Sequence, residues 1–498
     1  MKKGLALLTA LLLMLASVPA VAQQAAVTTI ELSDETILVD GAPASTDRDA
    51  AVYTANDIVF YLAGQDFTYG EGEAADEHTQ EEADAHTVVH ITRPGTYVLS
   101  GKLSAGQIAV DIDGGKKDPE AVVTLVLSGM DITCTVAPAV IFYNVYECSS
   151  KEEEDAVMNV DTSAAGANVV IADGTVNSVN GSYVARIYDP ETVELNEAGT
   201  KVEDAEKLHK YDAAFYSKRT MNISGGPVGD GVLNIAAENE GLDSELHLTL
   251  NGGNVNITSG NDGINTNEDN VSVTTVNGGS LTIRVDGGTG EGDGIDSNGW
   301  LVINGGTVIS AGCGFSMDAG IDSDKGIYIN GGTLCATGNM FDHIAGGDAP
   351  YAVFSFSARQ TGGMPYALRD ASGSTVAEWT PANDFTILVV SGERIRPGEY
   401  TFWQGETQLA FTGSEVFGFG GGMPPMGDFD PANMPEMPKD FDPSKMPPMG
   451  NFDPANMPPP PMGGQPFGPR GGEAEGEPST AFVLTEKGGS FSGVSAVK

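Results

Sequence analysis

The sequence predicts an all-β protein: a right-handed parallel β-helix followed by a small antiparallel β-sandwich-like domain. Three observations carry this. First, a Ser/Asn-Gly-Gly turn recurs at Ser224, Asn251, Asn277, Asn304 and Asn330, in steps of 27, 26, 27 and 26 residues. Second, short β-branched runs flank each turn, such as Trp300-Leu-Val-Ile before one and Thr307-Val-Ile-Ser after it. Third, these runs alternate with period two, which buries one face of a strand, and no helical periodicity competes. A constant repeat that supplies several short strands stacks rung on rung, about 4.8 Å apart. A propeller blade needs a longer repeat, roughly 40 residues or more. A calcium roll of about nine residues per repeat is hinted at by GGTGEGDGID, but nothing continues it.

Along the chain, residues 1–22 read as a secretory signal peptide. Lys2 and Lys3 precede an apolar run too short to anchor, and Ala20-Val21-Ala22 is a cleavage site. A secreted, extracellular bacterial protein is therefore expected, with no membrane insertion. Residues 23–87 hold a strand pair and the acidic run EGEAADEHTQEEADAH, expected as a flexible loop. The helix is expected over 88–350, interrupted by charged loops around 147–166 and 186–211. Residues 351–418 carry hairpin-like strands and form the sandwich-like domain. Residues 419–478 repeat FDP in a Met/Pro/Gly-rich context that cannot bury a core, and are expected to be a disordered insertion. Residues 479–498 are expected to return as strands of the C-terminal domain.

Composition narrows the function. There are 69 acidic against 25 basic residues, a net charge of −44. Nucleic acid is excluded as a partner, because its affinity rests on Lys and Arg against phosphate. Such acidity outside a cell points to divalent cations or to solubility. Cys134, Cys148, Cys313 and Cys335 allow up to two disulfides, in three connectivities, and no CxxC suggests zinc or redox chemistry.

A second repeat rides on the first. Four rungs share a motif: Glu240-Gly-Leu-Asp-Ser-Glu245, Asp262-Gly-Ile-Asn-Thr-Asn267, Asp293-Gly-Ile-Asp-Ser-Asn298 and Ala319-Gly-Ile-Asp-Ser-Asp324. Tyr216 takes the corresponding place in the preceding rung. In an extended segment, i and i+2 share a face. Leu242, Ile264, Ile295 and Ile321 would then point inward with the Ser or Thr that follows each acid. Asp243 with Glu245, Asn265 with Asn267, Asp296 with Asn298 and Asp322 with Asp324 would point outward and stack. Like charges about 5 Å apart repel by about 3 kcal/mol at an effective dielectric of 20. Ca²⁺ would turn that repulsion into attraction, using six to eight oxygens. The expected metal ligands are Asp243, Glu245, Asp262, Asn265, Asn267, Asp293, Asp296, Asn298, Asp322 and Asp324. A plainer reading is that Asp and Asn mark turns and Gly supplies the positive φ they need.

The ordered set ITRPGTYVLSGKL, VTLVLSGMDIT, AAFYSKRTMNISGG and DGIDS–NGG resembles a family of secreted bacterial carbohydrate-binding proteins. The resemblance covers roughly residues 88–350. It implies a parallel β-helix similar to polysaccharide lyases, bound calcium, and binding of plant cell-wall polysaccharides, including cellulose and acidic sugars. The ladder residues are the matching positions. On this reading the protein binds a polysaccharide as a monomer, with calcium bridging protein and sugar carboxylates. Tyr216, Trp300 and Tyr328 are candidate platforms for a neutral sugar, and Lys218 is a further candidate contact.

Two other classes compete. A calcium-dependent polysaccharide lyase would need a Lys or Arg base beside the metal. Lys218, Arg219, Arg284 and Lys325 are available on these rungs, with Lys325 the first candidate. A cell-surface adhesin or structural spacer would need no glycan site.

Overall fold

The computed structural model describes residues 27–414 and 478–497. The expected signal peptide, and all of the expected insertion but its last residue, lie outside the described residues. Among the described residues no helix is long and apolar enough to cross a membrane.

The repeats fold into three stacks of parallel strands. The strands before the Gly-Gly turns form the first: Met221–Gly225, His247–Leu250, Val273–Val276, Trp300–Ile303 and Gly326–Ile329. Met221 pairs with Leu248, Leu248 with Thr274, Thr274 with Leu301, and Leu301 with Ile327. The turn spacing thus reappears as strand register. The strands after the turns form the second stack, from Val232–Ala237 to Thr333–Gly338. The third stack is Ala213–Ser217, Glu240–Ser244, Ile264–Thr266 and Ile295–Ser297, and it carries the acids.

Alternation decides what each stack buries. Leu248, Leu301 and Ile327 from the first stack are fully buried, as are Leu233 and Leu334 from the second and Leu242, Ile264 and Ile295 from the third. Each contributes about 1.5–3 kcal/mol by leaving water. Thr274 is the polar member of one core row; its hydroxyl is satisfied by Thr266, 3.0 Å away.

Glycine serves two different needs. The second glycine of four of the five turns (Gly253, Gly279, Gly306 and Gly332) sits at φ between 77° and 86°, where a side chain is strained. The glycines of the acidic motif do not, contrary to the turn reading of that motif. Gly241, Gly263 and Gly294 each press on the carbonyl oxygen of the motif glycine one rung on, where a Cβ would collide. They permit close approach rather than positive φ.

Three expectations about segments change. Parallel pairing begins before residue 88, since Val27–Leu32 pairs with Gly95–Leu103. The acidic run is not all loop: Gln80–Asp84 is a short helix, closed by a Thr79/Glu82 capping box and anchored by buried Ala83. The 186–211 excursion is a hairpin rather than a loop, because VARIY and KLHKY alternate well enough to pair as Val184–Tyr188 with Lys207–Tyr211.

Beyond Gly347 the strands are largely antiparallel. Tyr366–Asp370 pairs with Thr375–Trp379 and with Gly398–Gln404. Gly489–Ala496 comes back to pair with Tyr351–Gln360, and Phe482–Leu484 with Gly398–Gln404. Their aromatic core contains Phe354, Phe402, Phe482 and Phe491. Phe385–Ser391 pairs antiparallel with Thr333–Gly338, the last strand of the second stack.

All four cysteines are free, so neither allowed disulfide forms. Burial pushes the Cys134 and Cys335 thiols up to about 12, which makes them poor nucleophiles.

His247 is a buried imidazole between Ser149 Oγ, 3.0 Å from Nε2, and the Val273 N–H, 3.1 Å from Nδ1. Burial lowers its pKa from 6.5 to about 4. The unfolded chain therefore protonates first, and stability is lost as pH falls from about 6.5 towards 4. From pH 7 to pH 5 the wild-type advantage over His247→Gln should shrink by about 2 kcal/mol in urea unfolding. The carboxylates titrate in both proteins, so the difference isolates the ring. A constant difference would show that the imidazole titrates normally.

Candidate functional site

The third stack aligns Tyr216, Asp243, Asn265 and Asp296 in one row. Asp322 extends it, its backbone N–H donating to Ile295 O. The following Ser244, Thr266, Ser297 and Ser323 point inward and are buried. The row is less open than an outward ladder would be: Asp243 is fully buried and Asn265 is 9% exposed.

The row divides into two electrostatic halves. In the first, lysines supply counter-charge. Lys207 of the 186–211 hairpin lies 3.4 Å from Glu245. Lys151 of the other excursion lies 2.7 Å from Glu268 and 3.8 Å from Glu245. Lys210 pairs with Asp212 at 2.8 Å. Asparagine amides supply donors: Asn267 Nδ2 reaches both Asp243 oxygens, and Asn265 Nδ2 reaches Glu240 Oε1. Asn298 likewise donates to Asp269. Each of these three asparagines donates to a carboxylate of another rung, and Asn298 also donates to the Asn267 carbonyl. Burial, with neighbouring carboxylates, still holds Asp243 and Glu240 well above the usual range. Glu240 Oε2 and Asn265 Oδ1 are buried without a partner.

The second half has no such compensation. It gathers Asp262, Asp293, Asp296, Asp322 and two residues the sequence reading missed, Asp318 and Asp342. Among the described residues none of the six is ion-paired to Lys or Arg. Backbone N–H groups hold some in place: Asp293 N donates to Asp262, Ala319 N to Asp293, and Gly292 N to Asp318. Burial first, then the other carboxylates, raise Asp293 to about 9, Asp296 to about 8, and Asp262 and Asp342 to about 7. Asp322 and the more exposed Asp324 are raised for the same reasons. Asp342 is 3% exposed and its Oδ2 has no hydrogen-bond partner. Among the described residues no three His, Cys, Asp or Glu side chains already form a metal ligand group. The donor chemistry nevertheless fits a hard cation: it is all oxygen and all acidic.

Asp318 was legible one residue out of register, in MDAGIDS, where Ala319 takes the place of the acid. Asp342 follows the last Gly-Gly turn, outside the repeat, and spacing could not find it.

The other candidates scatter. Tyr216 is 2% exposed and its hydroxyl donates to Glu245 at 2.7 Å, so it is a buried hydrogen-bond donor and not a sugar platform. Lys218 sits 5.1 Å from the Tyr211 ring centroid, and burial lowers its pKa. Lys325 is engaged and not a free base: its ammonium lies 4.5 Å over the Trp300 ring and donates to Asn270 O at 2.9 Å. Trp300 therefore has one face occupied. Tyr328 lies on the first stack, opposite Val302, away from the acidic row.

Stacked, largely parallel strands carrying a row of carboxylates and amides make up this all-β body. The model of a family described as "carbohydrate-binding domain-containing protein" matches residues 85–343, and the chain belongs to that family. A comparison with curated proteins finds no match. Among solved structures, one match is the polysaccharide lyase-like protein from C. thermocellum, solved as a gadolinium derivative. It is 18% identical, with a TM-score of 0.34, over 62% of this chain and 93% of that one.

Proposed function

We propose that the protein is a secreted, calcium-dependent carbohydrate-binding protein for plant cell-wall polysaccharides, acidic pectic chains among them. In this reading the three stacks are the faces of a right-handed parallel β-helix, and the acidic row is one of its long outer surfaces. The observation that carries it is the second half of the ladder, where six carboxylates share one region and, among the described residues, none is ion-paired to a lysine or arginine. Asp262, Asp293, Asp296, Asp318, Asp322 and Asp342 would hold the ion. Bound there, calcium would neutralise these groups and offer open coordination positions to sugar carboxylates. That reconciles a protein of net charge −44 with an anionic ligand.

The test is native electrophoresis of the mature protein through gels containing polygalacturonate. Retardation is expected with calcium and not with chelator, and Asp293→Asn/Asp296→Asn should abolish it. Equal mobility in calcium and chelator would overturn the reading. A second reading, a calcium-dependent lyase, draws on Lys218: burial favours its neutral amine, as a proton-abstracting base requires, although its charged neighbours are Glu245, Lys207, Arg219 and Asp111 rather than the six carboxylates, so the ion would have to sit in the first half of the row. Unsaturated uronide released from polygalacturonate in calcium, and lost in Lys218→Met, would establish it. Retention without product leaves the binding reading alone.

A further inference from the structure

Six Asn-Gly bonds occur in the chain, after Asn180, Asn251, Asn277, Asn298, Asn304 and Asn330. Asparagine is thermolabile, and most of all before glycine, which has no Cβ to shield its backbone nitrogen. That nitrogen attacks the side-chain carbonyl carbon. A Cγ–N bond forms, the Cγ–Nδ2 bond breaks, and ammonia leaves, taking up through solvent the proton that the glycine nitrogen loses. Water then opens the cyclic imide to aspartate or isoaspartate. The product carries a carboxylate in place of the amide. Attack requires the side chain to turn, so an amide held by hydrogen bonds reacts slowly.

Four of these bonds make a controlled comparison. Asn251, Asn277, Asn304 and Asn330 each follow an aliphatic residue, precede Gly-Gly and are exposed. Their side chains form a ladder across the turns. Asn277 Nδ2 donates to Asn251 Oδ1 at 2.9 Å, Asn304 to Asn277 at 2.9 Å, and Asn330 to Asn304 at 2.8 Å. The attacking nitrogens differ as well. Gly305 N–H donates to Val276 O and Gly331 N–H to Ile303 O, each at 3.3 Å. Outside the ladder, Asn180 donates to Thr133 Oγ1 at 3.2 Å and Asn298 to Asp269 at 2.9 Å. Asn251 stands apart. Its Oδ1 accepts from Asn277, but among the described residues neither its Nδ2 nor the Gly252 N–H donates to any group. The rung before it carries Ser224 at this place, which ends the amide row.

We propose that the amide ladder protects its Asn-Gly turns from deamidation, and that Asn251, its first rung, is the site at which the folded protein is spontaneously modified. The order of reaction follows from the hydrogen bonds that hold each side chain and its attacking nitrogen: one at Asn251, two at Asn277 and at Asn330, three at Asn304. Each bond slows the reaction by about threefold to tenfold. The first rung is also where the product does least harm. Aspartate at 251 still accepts from Asn277 Nδ2, whereas at 277 it would set a carboxylate against Asn251 Oδ1. The proposal needs neither calcium nor a glycan.

The experiment is peptide mapping by mass spectrometry of the full mature protein, incubated at mildly alkaline pH, beside the same protein in denaturant. The four turns share a local sequence, so in denaturant they should deamidate at similar rates. In the folded protein Asn251 should lead Asn277 and Asn330 by about threefold to tenfold, and Asn304 by more. Asn251→Ala removes the acceptor from Asn277, whose deamidation should then speed up by about threefold to tenfold. Asn251→Asp keeps the acceptor and should leave Asn277 slow. Equal rates at the four turns of the folded protein, or an Asn277 rate unchanged by Asn251→Ala, would overturn the proposal.

Discussion

Removing calcium is expected to lower the melting temperature by several degrees, and restoring it to reverse the change. A ligand that binds only the folded state stabilises it by about 3 kcal/mol at a hundredfold excess over its dissociation constant. One kcal/mol moves the midpoint by roughly 2–4 °C in domains of roughly 150–250 residues. The sign of the mutant result is the sharper test. Asp293 and Asp296 are held well above the usual carboxylate range, so ionised they oppose folding when no cation is bound. Asp293→Asn/Asp296→Asn should therefore melt higher than wild type in chelator and lower than wild type in calcium. Scanning calorimetry of both proteins in both conditions reads this crossing. A double variant that melts lower in chelator as well would mean these carboxylates are structural ligands of the backbone and not a cation site.

Gly294→Ala should cost about 3 kcal/mol or more. The residue lies in the acidic motif, and the added methyl would press into Gly320 O and Ser310 Oγ. Backbone cannot yield as a flexible side chain can, so the rung must move, and overpacking of this kind costs about 1–3 kcal/mol, occasionally more. Gly294 has no positive φ to forfeit, so the whole cost is contact. Denaturant unfolding of the variant, compared with Gly290→Ala, separates the two effects. Gly290 sits at φ 99° with open space around it, so alanine there is strained but does not collide. A smaller loss at Gly294 than at Gly290 would show that the rungs are not in tight contact.

Much of the frame was legible because two periodicities of different origin coincide. Alternation marked Leu248 and Leu301 as inward, and the Gly-Gly turns carried the spacing that became their register. The inward Ser244, Thr266 and Ser297 followed from the same rule. What the sequence did not reveal comes from segments far apart in the chain. The charge of Glu245 is answered by Lys151 and Lys207, which belong to excursions read as loops, and no local pattern links them. Asp342 joins the carboxylates from outside the repeat. Tyr216 looked like a platform because its place in the row is correct, but burial is decided by what covers the row. The motif glycines were misread because both explanations for a glycine leave the same letter in the sequence.

The strand Phe385–Ser391, laid antiparallel on Thr333–Gly338, has a consequence for solution behaviour. A stack of identical parallel strands ends in a row of free N–H and C=O groups, which is a template for the next copy. Here the chain folds back and occupies that template with a strand of opposite direction. Continued growth of the second stack by another molecule's strand is opposed at this end. Deleting residues 351–497 should make the protein associate end to end into fibrils more readily than the full chain, detectable by light scattering and by a cross-β diffraction spacing of about 4.8 Å. The C-terminal strands are thus a chain terminator as much as a separate core.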